Sequence, residues 1–265
     1  MSALASRSWL AAAALFALFF LLPVAGLGLR ALTDGDVASE LRSGDSWRAL
    51  RLSLVTATLA TALAALLGTP LAYALARSGR AGSRLAAALI DLPIVLPPAA
   101  AGIALLTVFG RRGYLGGPLE ELGVSLSFTT AAVVLAQLFV AGPYFVRSAY
   151  AGFRAADPRF EGVAYTLGLS RWRTFRSVTL PLVRPALAAG AVLCWARALG
   201  ELGATLLFAG SLPGSTRTAP LAVLNAFESA AGLAGAVSIS LLLVAVALAV
   251  MVALSRVTAP GGPYR

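Results

Sequence analysis

The sequence of 265 residues contains no histidine and no lysine, and Cys194 is its single cysteine. The absence of histidine excludes a histidine general base, a phosphohistidine and a histidine-ligated metal. One cysteine can form neither an internal disulfide nor a cysteine metal cluster, and we expect Cys194 to be a small buried hydrophobic residue. Without lysine the chain cannot contain the Gly-x-x-x-x-Gly-Lys-[Ser/Thr] phosphate-binding loop.

Charged residues of both signs are also scarce. They make up 12% of the chain, whereas 59% is hydrophobic and the mean hydropathy is +0.85. A soluble domain has about 25% charged residues, and a bilayer-spanning helix needs about 20 apolar residues. We therefore predict an all-α polytopic membrane protein with one transmembrane domain over residues 1–265. Six helices are predicted, at about 9–29, 52–76, 86–110, 127–147, 186–209 and 234–255.

The distribution of arginine predicts the orientation in the membrane. The side with both termini and the second and fourth loops has 13 arginines and 2 acidic residues, and the opposite side has 7 of each. Cytoplasmic loops are enriched in positive residues, so both termini are predicted to be cytoplasmic. The overall charge of +10 would suggest nucleic acid in a soluble protein, but here we expect membrane lipid and no nucleic acid. The first apolar segment is longer than a signal-peptide core, and we expect it to stay uncleaved.

The fourth loop, residues 148–184, is predicted to contain two short helices. Asp157 is a good N-cap, with Pro158 at the first helical position. Gly168 is placed to end that helix in a left-handed conformation. Ser170 can cap a second helix that carries three arginines and stops before Leu180. From spacing alone, such a loop is either a docking surface or a solvated basic segment.

The same loop carries a resemblance to a known family. Residues 161–168, nine further residues and then 178–181 resemble the cytoplasmic EAA loop of ABC importer permeases, a coupling helix that docks on the ATPase subunit. Gly162 and Val163 occupy the positions of the family's Glu and first Ala, Ala164 matches, and Glu161 is the candidate carboxylate one residue earlier. The resemblance implies a coupling site for the ATPase formed by Glu161, Gly162, Ala164, Gly168, Arg171, Leu180 and Pro181.

Five further segments are similar to molybdate permease subunits: 92–98, 110–113, 166–173, 196–204 and 208–218. This resemblance implies a type I ABC importer permease of MetI-like fold in the inner membrane, working as a homodimer. It also implies two copies of a partner ATPase that binds ATP and magnesium, and an extracytoplasmic oxyanion-binding protein. The chain itself is expected to bind no cofactor or metal. Sulfate, thiosulfate and tungstate permeases share the general plan and stay open as alternatives.

Charges and prolines within the predicted spans are candidates for a translocation pathway. Arg197 and Glu201 are four residues apart on the predicted fifth helix, where they can pair. Charges at membrane depth face a bundle interior or a wet cavity; the pair is either structural or a weak, transient site for a dianion. Pro97 and Pro98, close to Asp91, predict a discontinuous third helix that is buried or lines a cavity.

Two other classes of function compete with that of an importer subunit. A membrane-bound enzyme would need clustered acid, base or metal groups, and only three charged residues, Asp91, Arg197 and Glu201, lie inside the predicted spans rather than at their ends. An ion-coupled secondary transporter would use intramembrane carboxylates or a repeat. Asp91 and Glu201 are candidates for that role, but no obvious inverted duplication is present.

Overall fold

The computed structural model describes residues 3–41, 44–78 and 81–258. Within these ranges every regular element is helical and there is no β-strand. Of the arginines used to predict the orientation, Arg42, Arg80 and Arg265 lie outside the described residues. The helices are α1 (Ala3–Thr33), α2 (Gly35–Leu41), α3 (Gly44–Arg77), α4 (Ala81–Val95), α5 (Pro98–Phe109), α6 (Gly116–Glu121), α7 (Thr130–Ala155), α8 (Arg159–Thr166), α9 (Arg171–Thr174), a π-helical turn (Phe175–Thr179), α10 (Leu180–Leu199), α11 (Gly203–Ala209), α12 (Ala219–Glu228) and α13 (Gly232–Thr258).

The predicted membrane spans agree with long apolar helices in the described residues. Five helical segments are long and apolar enough to cross a bilayer, and a bent pair, α4 with α5, gives a sixth if it forms one span. The five are Trp9–Thr33, Gly44–Arg77, Thr130–Ala155, Arg171–Leu199 and Gly232–Val250. The prediction of an all-helical membrane protein is therefore confirmed.

The third predicted helix is discontinuous, as its prolines suggested. α4 and α5 are bent by 114° at the break. Pro97 directly precedes α5 and Pro98 is its first residue. Proline has no backbone N–H to continue the hydrogen bonding of α4, but its fixed φ suits the first turn of a new helix.

The fifth predicted helix, 186–209, differs from the structure at both ends. Helix runs from Arg171 through the π-helical turn into α10, so the second loop helix does not stop before Leu180. In the π-helical turn the Leu180 N–H reaches back five residues to the Phe175 carbonyl. This wider turn makes room for Pro181, which would otherwise clash with the preceding turn. At the other end, residues 200–202 are not helical and α11 is separate.

Contacts divide the chain into two compact units, Met1–Leu50 with Leu221–Arg265 and Arg51–Pro220. In the first unit, α1 and α2 both pack against α13. In the second unit, α7 packs against α4, α5, α10 and α11. The single domain predicted over residues 1–265 stays a prediction.

The core of the second unit brings the two interrupted spans together. Val133 and Val140 of α7 pack with Leu105 of α5 and Phe208 of α11. Gly203 lies so close to Pro98 that a Cβ placed on it would be 2.7 Å from the Pro98 Cβ. The first residues of α5 and α11 are therefore in contact, so the break in the third span adjoins the break in the fifth. Cys194 is fully buried in this unit, as predicted.

Candidate functional site

Glu161 of α8 lies at the centre of a buried polar cluster. Its Oε1 atom is 2.7 Å from Arg77 Nη2 and 3.2 Å from Arg77 Nε. The Thr179 hydroxyl donates to Oε1 at 3.0 Å, and the Tyr73 hydroxyl donates to Oε2 at 3.1 Å. Glu161 is only 8% exposed. Its carboxylate is thus held by α3 and by the π-helical turn together.

Arg77 extends this cluster to the end of α7. Its Nη1 atom donates to the carbonyls of Phe153 at 3.0 Å and Ala156 at 3.2 Å. Carbonyls at a helix C-terminus have no partner within the helix and attract a cation. A buried ion pair with its remaining donors satisfied is strongly disturbed when one partner is removed. Arg77 therefore connects the loop carboxylate to both α3 and α7.

An aromatic cluster lies beside the ion pair. The Tyr73 ring is 5.3 Å from the Phe153 ring and 5.1 Å from the Phe175 ring, both in edge-to-face geometry. Phe153 and Phe175 also face each other at 6.3 Å. Such ring pairs stabilise beyond their buried area. The rings come from α3, α7 and the π-helical turn, so the cluster joins the elements that the ion pair joins.

The outward face of α8, formed by Phe160, Val163 and Leu167, is apolar. Each of these side chains is more than half exposed. Gly162 lies on the same helix with open space beside it, whereas Ala164 is buried. Exposed apolar side chains in a contiguous group mark a site of interaction. Glu161 is thus turned inward and the apolar face is turned outward, an arrangement that can support docking.

The predicted ends of the loop helices are largely confirmed. Gly168 has φ +84° and follows α8 directly after Leu167. The Ser170 hydroxyl accepts from the Arg173 N–H and caps α9. The Asp157 carboxylate accepts from the Arg159 N–H at 2.9 Å, although α8 begins at Arg159, one residue later than predicted. That backbone hydrogen bond holds the pKa of Asp157 below its ordinary value.

The other coupling-loop candidates lie on the helical segment that follows. Arg171 is exposed at the start of α9. Leu180 and Pro181 form the first turn of α10, directly after the π-helical turn that carries Thr179. They are therefore continuous with the element that binds Glu161.

Arg197 and Glu201 form the predicted ion pair, with Arg197 Nη2 2.7 Å from Glu201 Oε2. The prediction that both lie on one helix was wrong, because α10 ends at Leu199 and Glu201 lies in the break. There the Glu201 Oε1 atom accepts from the Ala204 N–H at 2.8 Å, at the start of α11. The pair is asymmetric: the Glu201 side chain is 1% exposed and that of Arg197 is 28% exposed.

The structure places the remaining pathway candidates beside this break. Pro98 contacts Gly203, which follows Glu201 by two residues. Pro97 directly precedes the same end of α5. Asp91 instead pairs with Arg147 of α7 at 3.6 Å. The structure thus groups Pro97, Pro98 and Glu201 around two adjoining helix breaks.

Sequence reasoning missed the partners of Glu161. Tyr73 and Arg77 are 88 and 84 residues away from it along the chain, and no local pattern connects them. Gln137 was also missed: it is fully buried in α7, and neither of its amide atoms has a hydrogen-bond partner among the described residues. The one sequence signal that could have identified Gln137 was its amide side chain within a largely apolar predicted span.

Comparison with known proteins identifies a family. Residues 64–260 match the family model described as "Binding-protein-dependent transport system inner membrane component". The chain is 48% identical over 220 residues to the Mycobacterium tuberculosis protein named molybdenum transport system permease protein ModB, covering 83% of each. It is 37% identical over 203 residues to the Escherichia coli protein of the same name, covering 76% of this chain and 89% of that one.

A solved structure shares the fold. A bacterial ABC transporter involved in the import of alginate matches with a TM-score of 0.72 over 96% of this chain and 97% of that chain. The sequence identity is 17%, so this likeness concerns the fold alone. The predicted MetI-like permease fold is confirmed by the family match and by this structure.

Proposed function

This chain belongs to the family of binding-protein-dependent transport system inner membrane components, and we propose that it carries molybdate into the cytoplasm. It is the membrane-spanning permease subunit of an ABC importer. Relatives named as molybdenum transport permeases at 37% and 48% identity support the substrate. ATP hydrolysis is the task of a partner subunit, which binds ATP and magnesium.

The observation that carries the proposal is the buried contact of Glu161 with Arg77. One face of α8 is apolar and exposed, as a docking surface for the ATPase requires. The opposite face presents Glu161 to Arg77, which also bonds to the end of α7. A displacement of α8 by the ATPase is therefore passed to α3 and α7 by a charged contact that is costly to break.

The pathway for the anion runs past the two adjoining helix breaks. Arg197 is the more exposed member of its ion pair. A dianion can therefore approach the Arg197 guanidinium while Glu201 keeps its hydrogen bond to the Ala204 N–H. The pair has no net charge, so the attraction is weak and short-lived. A translocation step needs such a site, because tight binding would hold the anion.

The assembly that we propose contains two copies of this chain, two ATPase subunits and one extracytoplasmic binding protein. One coupling loop engages one ATPase subunit, so two ATPase subunits require two permease chains. A two-fold axis would place two Arg197 side chains about one pathway, an arrangement typical of closed dimers. The complex lies in the inner membrane, with both termini of this chain in the cytoplasm.

Sulfate and tungstate are the alternative substrates. A Thermococcus kodakarensis relative named as a molybdate/tungstate permease is 35% identical to this chain, and a Chlorokybus atmophyticus relative named as a probable sulfate permease is 34% identical. Both are less similar to the chain than the M. tuberculosis protein, which favours molybdate.

Uptake into proteoliposomes tests the proposal. The permease is reconstituted with its ATPase and binding protein, and labelled molybdate is added with or without ATP. We expect uptake that requires ATP and the ATPase, and that unlabelled molybdate blocks more strongly than sulfate does. The mass of the purified complex should correspond to two permeases and two ATPases. Uptake driven by a proton gradient alone would overturn the proposal, and a second, different permease chain in the complex would shift the substrate to sulfate.

A further inference from the structure

The segment between α11 and α12, residues 210–218, forms a compact loop that includes part of a motif similar to molybdate permeases. Gly210 and Gly214 have φ of +71° and +78°, which favours glycine. The Leu212 carbonyl accepts from the N–H groups of Ser215, Thr216 and Arg217 at 3.0 to 3.3 Å. The Leu212 N–H donates to the Thr216 hydroxyl at 2.9 Å. The backbone around Arg217 is thus fixed by its own hydrogen bonds.

Contacts with α7 and α3 place this loop far from the coupling site. The Thr130 hydroxyl, at the start of α7, donates to the Ser215 carbonyl at 2.8 Å. The Ala219 N–H donates to the Ser53 hydroxyl of α3 at 2.7 Å. Ser53 precedes Arg77 on the same helix by about 36 Å, at 1.5 Å per residue. The loop therefore lies at the opposite end of α3 from Glu161, on the predicted extracytoplasmic side.

Arg217 is a half-buried cation. On that predicted side, Arg30, Arg48 and Arg111 each pair with a carboxylate, whereas the exposed Arg51 and Arg112 have no ion pair among the described residues. Among the described side chains, no carboxylate lies within 4 Å of Arg217. Its Nη2 atom makes a long hydrogen bond of 3.4 Å to the Ser211 carbonyl. Its Nε atom is buried and has no partner among the described residues.

Hydroxyls without partners accompany this arginine. Thr218, the next residue, is fully buried, and its hydroxyl has no hydrogen bond within the described part of the chain. Ser127 is 1% exposed, and its hydroxyl also lacks a partner there. The segment that contains Ser127 lies against the loop, because the Phe128 N–H donates to the Phe208 carbonyl and the Phe128 ring bounds the space beside Gly210.

Each of these groups leaves hydrogen-bonding capacity unused in a buried position, which costs free energy. A guanidinium with free donors, together with free hydroxyls on the next residue and on a segment that contacts the same loop, offers donors suited to a tetrahedral oxyanion, since the planar fork of arginine matches two anion oxygens. We propose that Arg217, with the hydroxyls of Thr218 and Ser127, is an entry site that receives the oxyanion on the extracytoplasmic side. This inference rests on the proposed function and adds a step before the anion reaches Arg197.

Four variants test the entry site: Arg217→Gln, Arg217→Lys, Thr218→Val and the control Arg112→Gln. Arg112 is an exposed arginine of the same predicted side, without an ion pair among the described residues. Thr218→Val keeps the shape of the side chain and removes a hydroxyl that has no hydrogen bond, so the fold should be retained. The reconstituted complex is measured for molybdate uptake against the concentration of loaded binding protein, and for stimulated ATP hydrolysis.

We expect Arg217→Gln to lower the maximal uptake rate roughly ten-fold or more, the effect of losing a hydrogen bond to a charged group. The concentration of loaded binding protein at half-maximal rate and the stimulated ATP hydrolysis should not change. Arg217→Lys should restore part of the rate, Thr218→Val should lower it several-fold without lowering the melting temperature, and Arg112→Gln should match wild type.

Other results overturn the entry site in distinguishable ways. If Arg217→Gln matched Arg112→Gln while wild-type uptake required ATP, the entry site would be wrong and the proposed function would stand. If Arg217→Gln raised only the half-maximal concentration of binding protein, Arg217 would contact an acidic side chain of that protein instead. If wild type itself failed to import molybdate with ATP, the proposed function would fail as well.

Discussion

Arg77 Nη2 lies 2.7 Å from Glu161 Oε1, across 84 residues of sequence, and both side chains are largely buried. This contact joins the exposed coupling loop to α3, and the second donor group of Arg77 joins it to the end of α7. A loop held only by its chain connections could move without moving the membrane helices. We therefore propose that the ion pair transmits movement of the loop to α3 and α7.

Removing one member of this pair should be worse than removing both. We expect Glu161→Leu to destabilise the protein by about 3–5 kcal/mol, because Arg77 is left buried without a counter-charge. The double variant Glu161→Leu with Arg77→Met should regain much of that loss. Unfolding in detergent measures stability, and ATP hydrolysis without uptake measures uncoupling.

The exposed pair of Arg48 with Asp45 provides the matched control. Exposed pairs contribute about 0–1 kcal/mol, so Arg48→Gln should be nearly silent. If Glu161→Leu were as silent as Arg48→Gln, the ion pair would not hold the loop. If the double variant were stable and still coupled hydrolysis to uptake, the pair would not transmit the movement.

Gly168 is the second test of the loop, because its φ of +84° is strained for residues with a side chain. We expect Gly168→Val to cost about 1–2 kcal/mol locally and to weaken ATPase binding, with membrane insertion unchanged. Gly168→Asn should be tolerated better, since Asn visits this conformation. Gly26→Ala is the control, because Gly26 lies in α1, outside the loop, and a Cβ placed on it meets open space. Normal assembly and transport by Gly168→Val would contradict the assignment.

Local signals in the sequence predicted much of the loop, and long-range contacts account for what was missed. Gly168 and Ser170 end and start helices through bonds to residues within five positions, which a sequence pattern can reveal. The partners of Glu161 depend on the packing of α3 against the loop, which no local pattern encodes. The run through Leu180 was missed because proline normally predicts a helix boundary, whereas a π-helical turn accommodates Pro181 here.

The contact of Gly203 with Pro98 predicts that a larger side chain at position 203 destabilises the packing of the two helix breaks. A Cβ on residue 203 would lie 2.7 Å from the Pro98 Cβ and 3.3 Å from its carbonyl carbon, so Gly203→Ala must push α11 away from α5. Overpacking of this kind costs about 1–3 kcal/mol. Gly28→Ala, in α1 with open space, should instead be neutral or stabilising, because alanine favours helix. Equal melting temperatures for both variants would contradict the close packing of the breaks.

Arg197 and Glu201 allow a structural role to be separated from a role in translocation. Arg197→Met leaves the buried Glu201 carboxylate without its cation, so we expect loss of stability and of uptake. Adding Glu201→Gln removes that charge and keeps an oxygen that can accept from the Ala204 N–H. The double variant should therefore fold nearly as well as wild type.

Uptake by this double variant is the decisive measurement. If Arg197 meets the oxyanion, the double variant stays inactive in uptake although it is stable and still hydrolyses ATP with its partner. Glu201→Gln alone should keep Arg197 and retain uptake, with slower release because the cation is no longer neutralised. Should the double variant recover uptake together with stability, the pair would only orient the helix break, and the anion would have to cross the membrane without contact with Arg197.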